Sequence, residues 1–330
     1  MTSPSGPTVP VPASPGEAVS QKGFPKGDAI LVTTIAFLWL QLYWSAKAVW
    51  LNGDYYDYAW LVPPAAAFFF HRRFPGIQDF AKRSALAEPK RGGAGLVVAA
   101  AILLPLIFGI RAIEGFDPTW RPPIILHAGV ATLVSHWLLW RWYGRKASLS
   151  LIPVTIFALS AIPYPYTLEK IVIQGLTEWV VQTSGGLFEL VGRPVIVSGG
   201  ILEFKGTQVE VTEGCSGIQS LQSLIMVALF FGEFSKLQVS RRLLLVISAG
   251  FLALTVNVAR ALLLARIRFD QGEASFEASH DLVGFGAFAI GGLSLFLMMQ
   301  ALLAMDGRKG KKVRHTLKKN NDSHDLKSLS

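Results

Sequence analysis

The 330-residue chain carries 31 Lys and Arg against 22 Asp and Glu, a net charge of +9, yet only 16% of it is charged while 51% is hydrophobic. That is too little charge to clothe a soluble globule of this length, and the apolar residues fall in blocks. A soluble enzyme is excluded. The basic excess sits beside the apolar blocks, where positive-inside bias accounts for it, so nucleic acid is not an expected partner.

In chain order, residues 1–27 are rich in Pro, Ser and Gly and lack the apolar core of a signal peptide. They are read as a disordered cytoplasmic tail. A bilayer core takes roughly 20 apolar residues per helix, and eight spans are expected, over residues 28–48, 57–71, 93–112, 123–141, 147–163, 216–233, 242–265 and 280–304. The second is the weakest because it is short and carries Pro63 and Pro64. The expected fold is all-α and polytopic, with a transmembrane domain over 28–304 and a basic, disordered cytoplasmic tail over 305–330.

With both termini in the cytoplasm, 22 of the 31 basic residues fall on the inner side: two before the first span, six over 72–91, three over 141–146, three over 236–242 and eight in the C-terminal tail. This charge bias sets the orientation. The longest segment between spans, 164–214, then lies on the outer face. Its first part, 168–191, spaces apolar residues among Glu, Lys and Gln like an amphipathic helix lying at the headgroups. Its second part, 194–211, alternates around Gly199, Gly200 and Gly206 as a small β-hairpin or meander.

That hairpin leads to Cys215, the only cysteine in the chain, so neither an intramolecular disulfide nor a cysteine metal cluster is available. Cys215 lies at or near the start of the sixth span, where exposed N–H groups and the helix dipole favour a thiolate. A free cysteine is otherwise a small buried apolar residue. Arg260 lies within the seventh span, about six residues or about 9 Å from its outer end. There it either serves a site or snorkels to the headgroups. Asn257, one turn earlier on the same helix face, is suited to hold the guanidinium or a substrate amide, or to bond between helices. His280 starts the last span on the outer side, and Gly284, Ala287 and Gly291 give that span a small-residue face for close packing.

The charge-derived topology brings Cys215, Arg260 and His280 to one side of the membrane. They are the parts of a cysteine acyl-transfer site: His280 takes the thiol proton, Cys215 attacks a peptide carbonyl, and Arg260 steadies the oxyanion or anchors the carbonyl. Glu213 is expected to contact substrate from the outer side, and Asp54, Asp57 and Tyr58 to contact substrate or headgroups there. His127 and His136, nine residues apart, do not match a helix-borne metal pair and are read as structural. No metal or other cofactor is expected.

These residues resemble the exosortase/archaeosortase group of membrane cysteine transpeptidases over about residues 28–304. The pattern is Cys-Ser-Gly opening one helix (Cys215, Ser216, Gly217), Asn-x-x-Arg on the next (Asn257, Arg260), and His with a Gly four residues later on the last (His280, Gly284). Where relatives often carry Tyr-Ser-His-Gly-Phe-Leu-Val-Pro, this chain has Tyr56-Asp57-Tyr58-Ala59-Trp60-Leu61-Val62-Pro63, the mark of a divergent subfamily. The resemblance implies a protein of the cell inner membrane whose partners, besides lipids, are exported proteins ending in a short motif, a span and a basic cluster. Two alternatives stand beside it: an inactive scaffold in envelope or extracellular-matrix biogenesis, and a transporter using Arg260 and Asn257. The latter predicts more ionisable residues within spans and repeated halves.

Overall fold

The computed structural model describes residues 26–53, 55–83, 93–211 and 216–327. The elements are α1 (Lys26–Asn52), a 3₁₀ turn (Asp57–Leu61), α2 (Val62–Arg83), α3 (Gly93–Phe116), α4 (Arg121–Tyr143), α5 (Arg145–Ser150), α6 (Ile152–Leu159) and α7 (Tyr166–Leu190). Strands β1 (Ile196–Ser198), β2 (Ile201–Phe204) and β3 (Thr207–Glu210) follow, then α8 (Ile218–Phe234), α9 (Val239–Gln271) and α10 (Glu273–Lys327). Among the described residues, Asp28–Asn52, Arg121–Tyr143, Val239–Gln271 and Glu273–Met305 are long and apolar enough to cross a bilayer, and Ile218–Phe234 is a shorter apolar helix.

Helix α1 buries Leu31, Ile35, Leu38, Leu42, Ala46 and Val49, a stripe at helical spacing, and turns Ile30, Phe37, Leu40, Trp44 and Leu51 outward. A helix apolar all round is one that meets protein on one side and hydrocarbon on the other.

The expected fifth span is two helices, α5 and α6, broken at Leu151 just before Pro153, which supplies no N–H to continue the ladder. Carbonyls freed at the end of α6 find donors on neighbouring elements. Tyr43 Oη donates to Ala158 at 3.1 Å, Tyr58 Oη to Ser160 at 2.9 Å, and Trp50 Nε1 to Ala161 at 2.8 Å. In hydrocarbon, where no water substitutes, broken helices persist only with such partners. Tyr58 is thus buried, with its hydroxyl held by the Ser160 carbonyl.

Three further boundaries differ from the sequence reading. The second span opens as a 3₁₀ turn and continues as α2 to Arg83, because Pro63 and Pro64 occupy the first helical turn, where no N–H is needed. Helix α9 runs to Gln271 and reverses at Gly272 alone, with φ +86°, so α10 starts at Glu273 and His280 lies two turns inside it. The helix also continues to Lys327, through the stretch expected to be irregular.

At the end of the bundle bearing the α8–α9 turn, Glu233 is buried and takes Arg73 Nη2 at 2.8 Å, with Arg73 Nε and Arg242 Nη1 also on its carboxylate. This ties α2, α8 and α9 together. Glu233→Ala leaves two partly buried guanidinium groups facing each other, so we expect it to cost about 3–5 kcal/mol. Thermal unfolding in detergent measures this, and an unchanged midpoint would show the clamp to be dispensable.

The expected hairpin is a three-stranded antiparallel meander ordered β1-β2-β3. Its strands pair Val197 with Leu202 and Leu202 with Val209. Leu202, Val209 and Val211 bury one face against Val180, Val181, Val258 and Ala265 of α7 and α9. Val197 comes so close to Gly185 of α7 that a Cβ there would sit 2.5 Å from its methyl. The sheet is thereby fixed on the α7–α9 pair.

Candidate active site

Helix α8 starts three residues after Cys215, at Ile218. Gly217 caps it with φ +90°, in the left-handed region that a side chain disfavours. Buried Ser216 turns its Oγ to accept the Ile218 N–H at 3.3 Å, taking one of the donors left open at a helix start. Asn257 of α9 is 3% exposed and its Nδ2 donates to the Ser216 carbonyl at 3.0 Å. A Cβ on Gly217 would stand 2.6 Å from the Asn257 amide carbon. The glycine thus admits Asn257, and Asn257 fixes the residue that follows the cysteine. Cys215, Glu213 and Asp54 themselves lie outside the described residues.

One turn beyond Asn257, Arg260 reaches His280, with Nη2 to Nε2 at 3.2 Å. Arg260 lies twelve residues before Gly272 and His280 eight after it, so the arginine Cα is about 6 Å deeper in the antiparallel pair. The long side chain spans that difference to reach the imidazole.

A guanidinium has no lone pair, so His280 Nε2 accepts and Nδ1 carries the proton. Nδ1 stands 3.3 Å from Asp281 Oδ1, an acceptor for that proton, although Asp281 is largely exposed. The Phe276 ring, one turn earlier on α10, lies 6.0 Å from the imidazole. The arrangement sets the tautomer through two neighbours, as second partners of a histidine generally do.

The small-residue face of α10 behaves as expected. Gly284 stands beside Arg260, its Cβ position 4.0 Å from Nε, and Gly291 brings α10 onto Leu224 of α8. The site's outer rim holds a contact that was not anticipated: Gln219 Nε2 donates to Asp57 Oδ2 at 3.1 Å, joining the 3₁₀ turn to the first turn of α8. Asp57 is the first residue of the Asp-Tyr-Ala that departs from the relatives' pattern, and that departure was the available signal. Behind it, Tyr56 Oη donates to Glu169, whose other oxygen takes Arg121 Nη2 at 2.8 Å. Burial, reinforced by Glu169, pushes the Tyr56 phenol well above its ordinary pKa and keeps it a donor.

The interior histidines stand apart from this group. His127 is fully buried with Nδ1 3.1 Å from Glu114, in a network with Arg111 and Ser45. His136 bridges Ser148 and Thr155, at 3.0 Å each, on the wall of an apolar cavity of about 350 Å³ between α1, α2, α4 and α6. Arg111 and Glu114 are ionisable residues near the end of an expected span that the sequence reading passed over. Their i, i+3 spacing is the signal that marks such a pair.

An apolar helical protein that holds an Asn, an Arg and a His together on an antiparallel helix pair, next to a glycine-capped helix start, is a polytopic membrane protein with a built polar site. Such groups inside a membrane protein are candidates for function. The chain belongs to the transmembrane exosortase family: the family's profile matches residues 50–297, about three quarters of the chain, including every residue of the site. No curated protein and no solved structure matches it.

Proposed function

We propose that this protein is a membrane cysteine protease or transpeptidase that cuts the C-terminal sorting tails of exported proteins at the outer face of the cell inner membrane. The observation that supports it best is the 3.2 Å contact between Arg260 and His280, beside an Asn257 that holds the residue following Cys215.

In this reading the substrate's span lies in the bilayer beside the enzyme and its basic cluster stays in the cytoplasm. The guanidinium turns its N–H groups to the scissile carbonyl, which releases the Nε2 lone pair of His280. That nitrogen takes the Cys215 proton as Sγ bonds to the carbonyl carbon, and Arg260 meets the oxyanion. Collapse breaks the C–N bond, the amine of the tail leaves with the proton from His280, and a thioester remains on Cys215. Water or an acceptor amine then attacks the thioester, returning the thiol. The tautomer with Nδ1 protonated suits this cycle, because Nε2 is the nitrogen that exchanges the proton.

The test is a co-expressed exported reporter ending in a motif, a span and a Lys/Arg cluster from the native host's own tailed proteins. Wild type is expected to shorten it, and Cys215→Ala to leave it full length at equal membrane abundance. Normal processing by Cys215→Ala would remove the acyl-enzyme and favour a scaffold, which tolerates loss of the thiol.

A further inference from the structure

We propose that the outward edge of β3 is the strand on which the substrate docks: an extended segment preceding its membrane span adds to the sheet as a fourth strand, parallel to β3. This rests on the sorting-tail reading above and names how that substrate is held.

The register decides which groups are open. Val211 N–H bonds to the Gly200 carbonyl at 2.8 Å, and Leu202 pairs with Val209. Alternation along an antiparallel ladder then points the N–H and carbonyl of Gln208 and Glu210 away from β2. Both residues are exposed, and among the described residues no hydrogen bond takes these backbone groups. An open edge of this kind is a template for another chain.

Position distinguishes this edge from the other. The outer edge of β1 lies on the side of the sheet toward α7, where Val197 meets Gly185. The β3 edge lies on the side toward α9 and α10, and a cavity of about 20 Å³, room for about one water, separates Val209 and Val211 from Arg260 and Phe276. The sheet is anchored by its buried face, so the edge is held still beside the arginine.

Direction follows from the packing. At the start of β3 the sheet packs on Phe269 through Phe204, with ring centroids 5.5 Å apart, whereas Val211 borders Arg260 and Ala261. Strand β3 therefore descends along α9 toward the membrane and ends shortly before Cys215 in sequence. A substrate with a C-terminal span also runs from outside to membrane in the N-to-C direction, so its segment pairs parallel to β3. At about 3.3 Å per residue, four substrate residues match the strand. Main-chain bonds supply affinity, and alternate side chains, turned toward α9, are the ones read.

The experiment uses the full-length protein and the same reporter. Gln208→Pro and Glu210→Pro remove edge N–H groups without touching the β2 ladder, and each is expected to slow processing about tenfold. Ile196→Ala, which trims an exposed side chain on β1 and leaves the backbone groups of both edges in place, is expected to process at the wild-type rate. A proline scan through the four reporter residues preceding the cut, made with unaltered enzyme, is expected to block at alternate positions. Wild-type rates in both β3 variants, or a scan without the two-residue period, would overturn strand addition. Should a variant fail to accumulate in the membrane, the reporter scan decides alone. An uncut reporter with wild-type enzyme would instead remove the sorting-tail reading, and the docking proposal with it.

Discussion

Arg260→Ala is expected to lower reporter processing by about 10²–10³-fold, the usual loss when one donor to a developing oxyanion is removed. The side chain does two things at once, which is why the effect is large. In the proposed mechanism it offers N–H groups where the carbonyl oxygen gains charge, and in the resting protein it bonds His280 Nε2 at 3.2 Å, which fixes the ring. Arg260→Lys keeps the charge but not the planar fork, so it restores only part of the rate. The measurement is the initial rate of tail removal at matched membrane abundance. An alanine variant within a factor of two of wild type would mean that Arg260 is only a snorkelling residue.

Gly217→Ala is expected to be nearly as damaging, although glycine carries no chemistry. Its φ of +90° makes any side chain strained by about 1–3 kcal/mol. The new Cβ would stand 2.6 Å from the Asn257 amide, so Asn257 must move and release the buried Ser216 carbonyl. An unpaired buried acceptor costs about another 1–3 kcal/mol. Both changes act within two residues of Cys215, where a displacement of 1 Å is enough to lower a rate about 10²-fold. The variant should still reach the membrane, because the clamp at Glu233 and the core of α1 and α4 are remote from it. Processing at the wild-type rate would show that the start of α8 does not position the nucleophile.

Much of this was legible before any coordinates. The apolar blocks, Lys/Arg bias and three short motifs identified a polytopic membrane protein and pointed to Asn257, Arg260 and His280, because each is a local feature of type and spacing. The alternation over 194–211 likewise announced a hairpin or meander, and the fold holds the three-stranded meander. What local sequence did not show is what neighbours decided. Tyr58 follows two aspartates in sequence within four positions, and only the fold shows that its hydroxyl bonds the Ser160 carbonyl. The fifth span looked continuous by hydropathy, which registers neither that Pro153 breaks the ladder nor that Tyr43 and Trp50 on α1 satisfy carbonyls at the end of α6.

What the sequence by itself determined is the membrane-spanning character, the charge bias, and which residues match the family's motifs, since transfer free energy, charge and residue type depend on composition along the chain. The tertiary structure alone decided that the Arg260 guanidinium meets His280 Nε2, that Asn257 fills the space Gly217 leaves, and that the β3 edge faces α9 and α10. Each of these is a contact between residues distant in the chain, set by how deep one helix stands against the next. Sequence spacing measures distance only along one element, and depth between elements is fixed by packing.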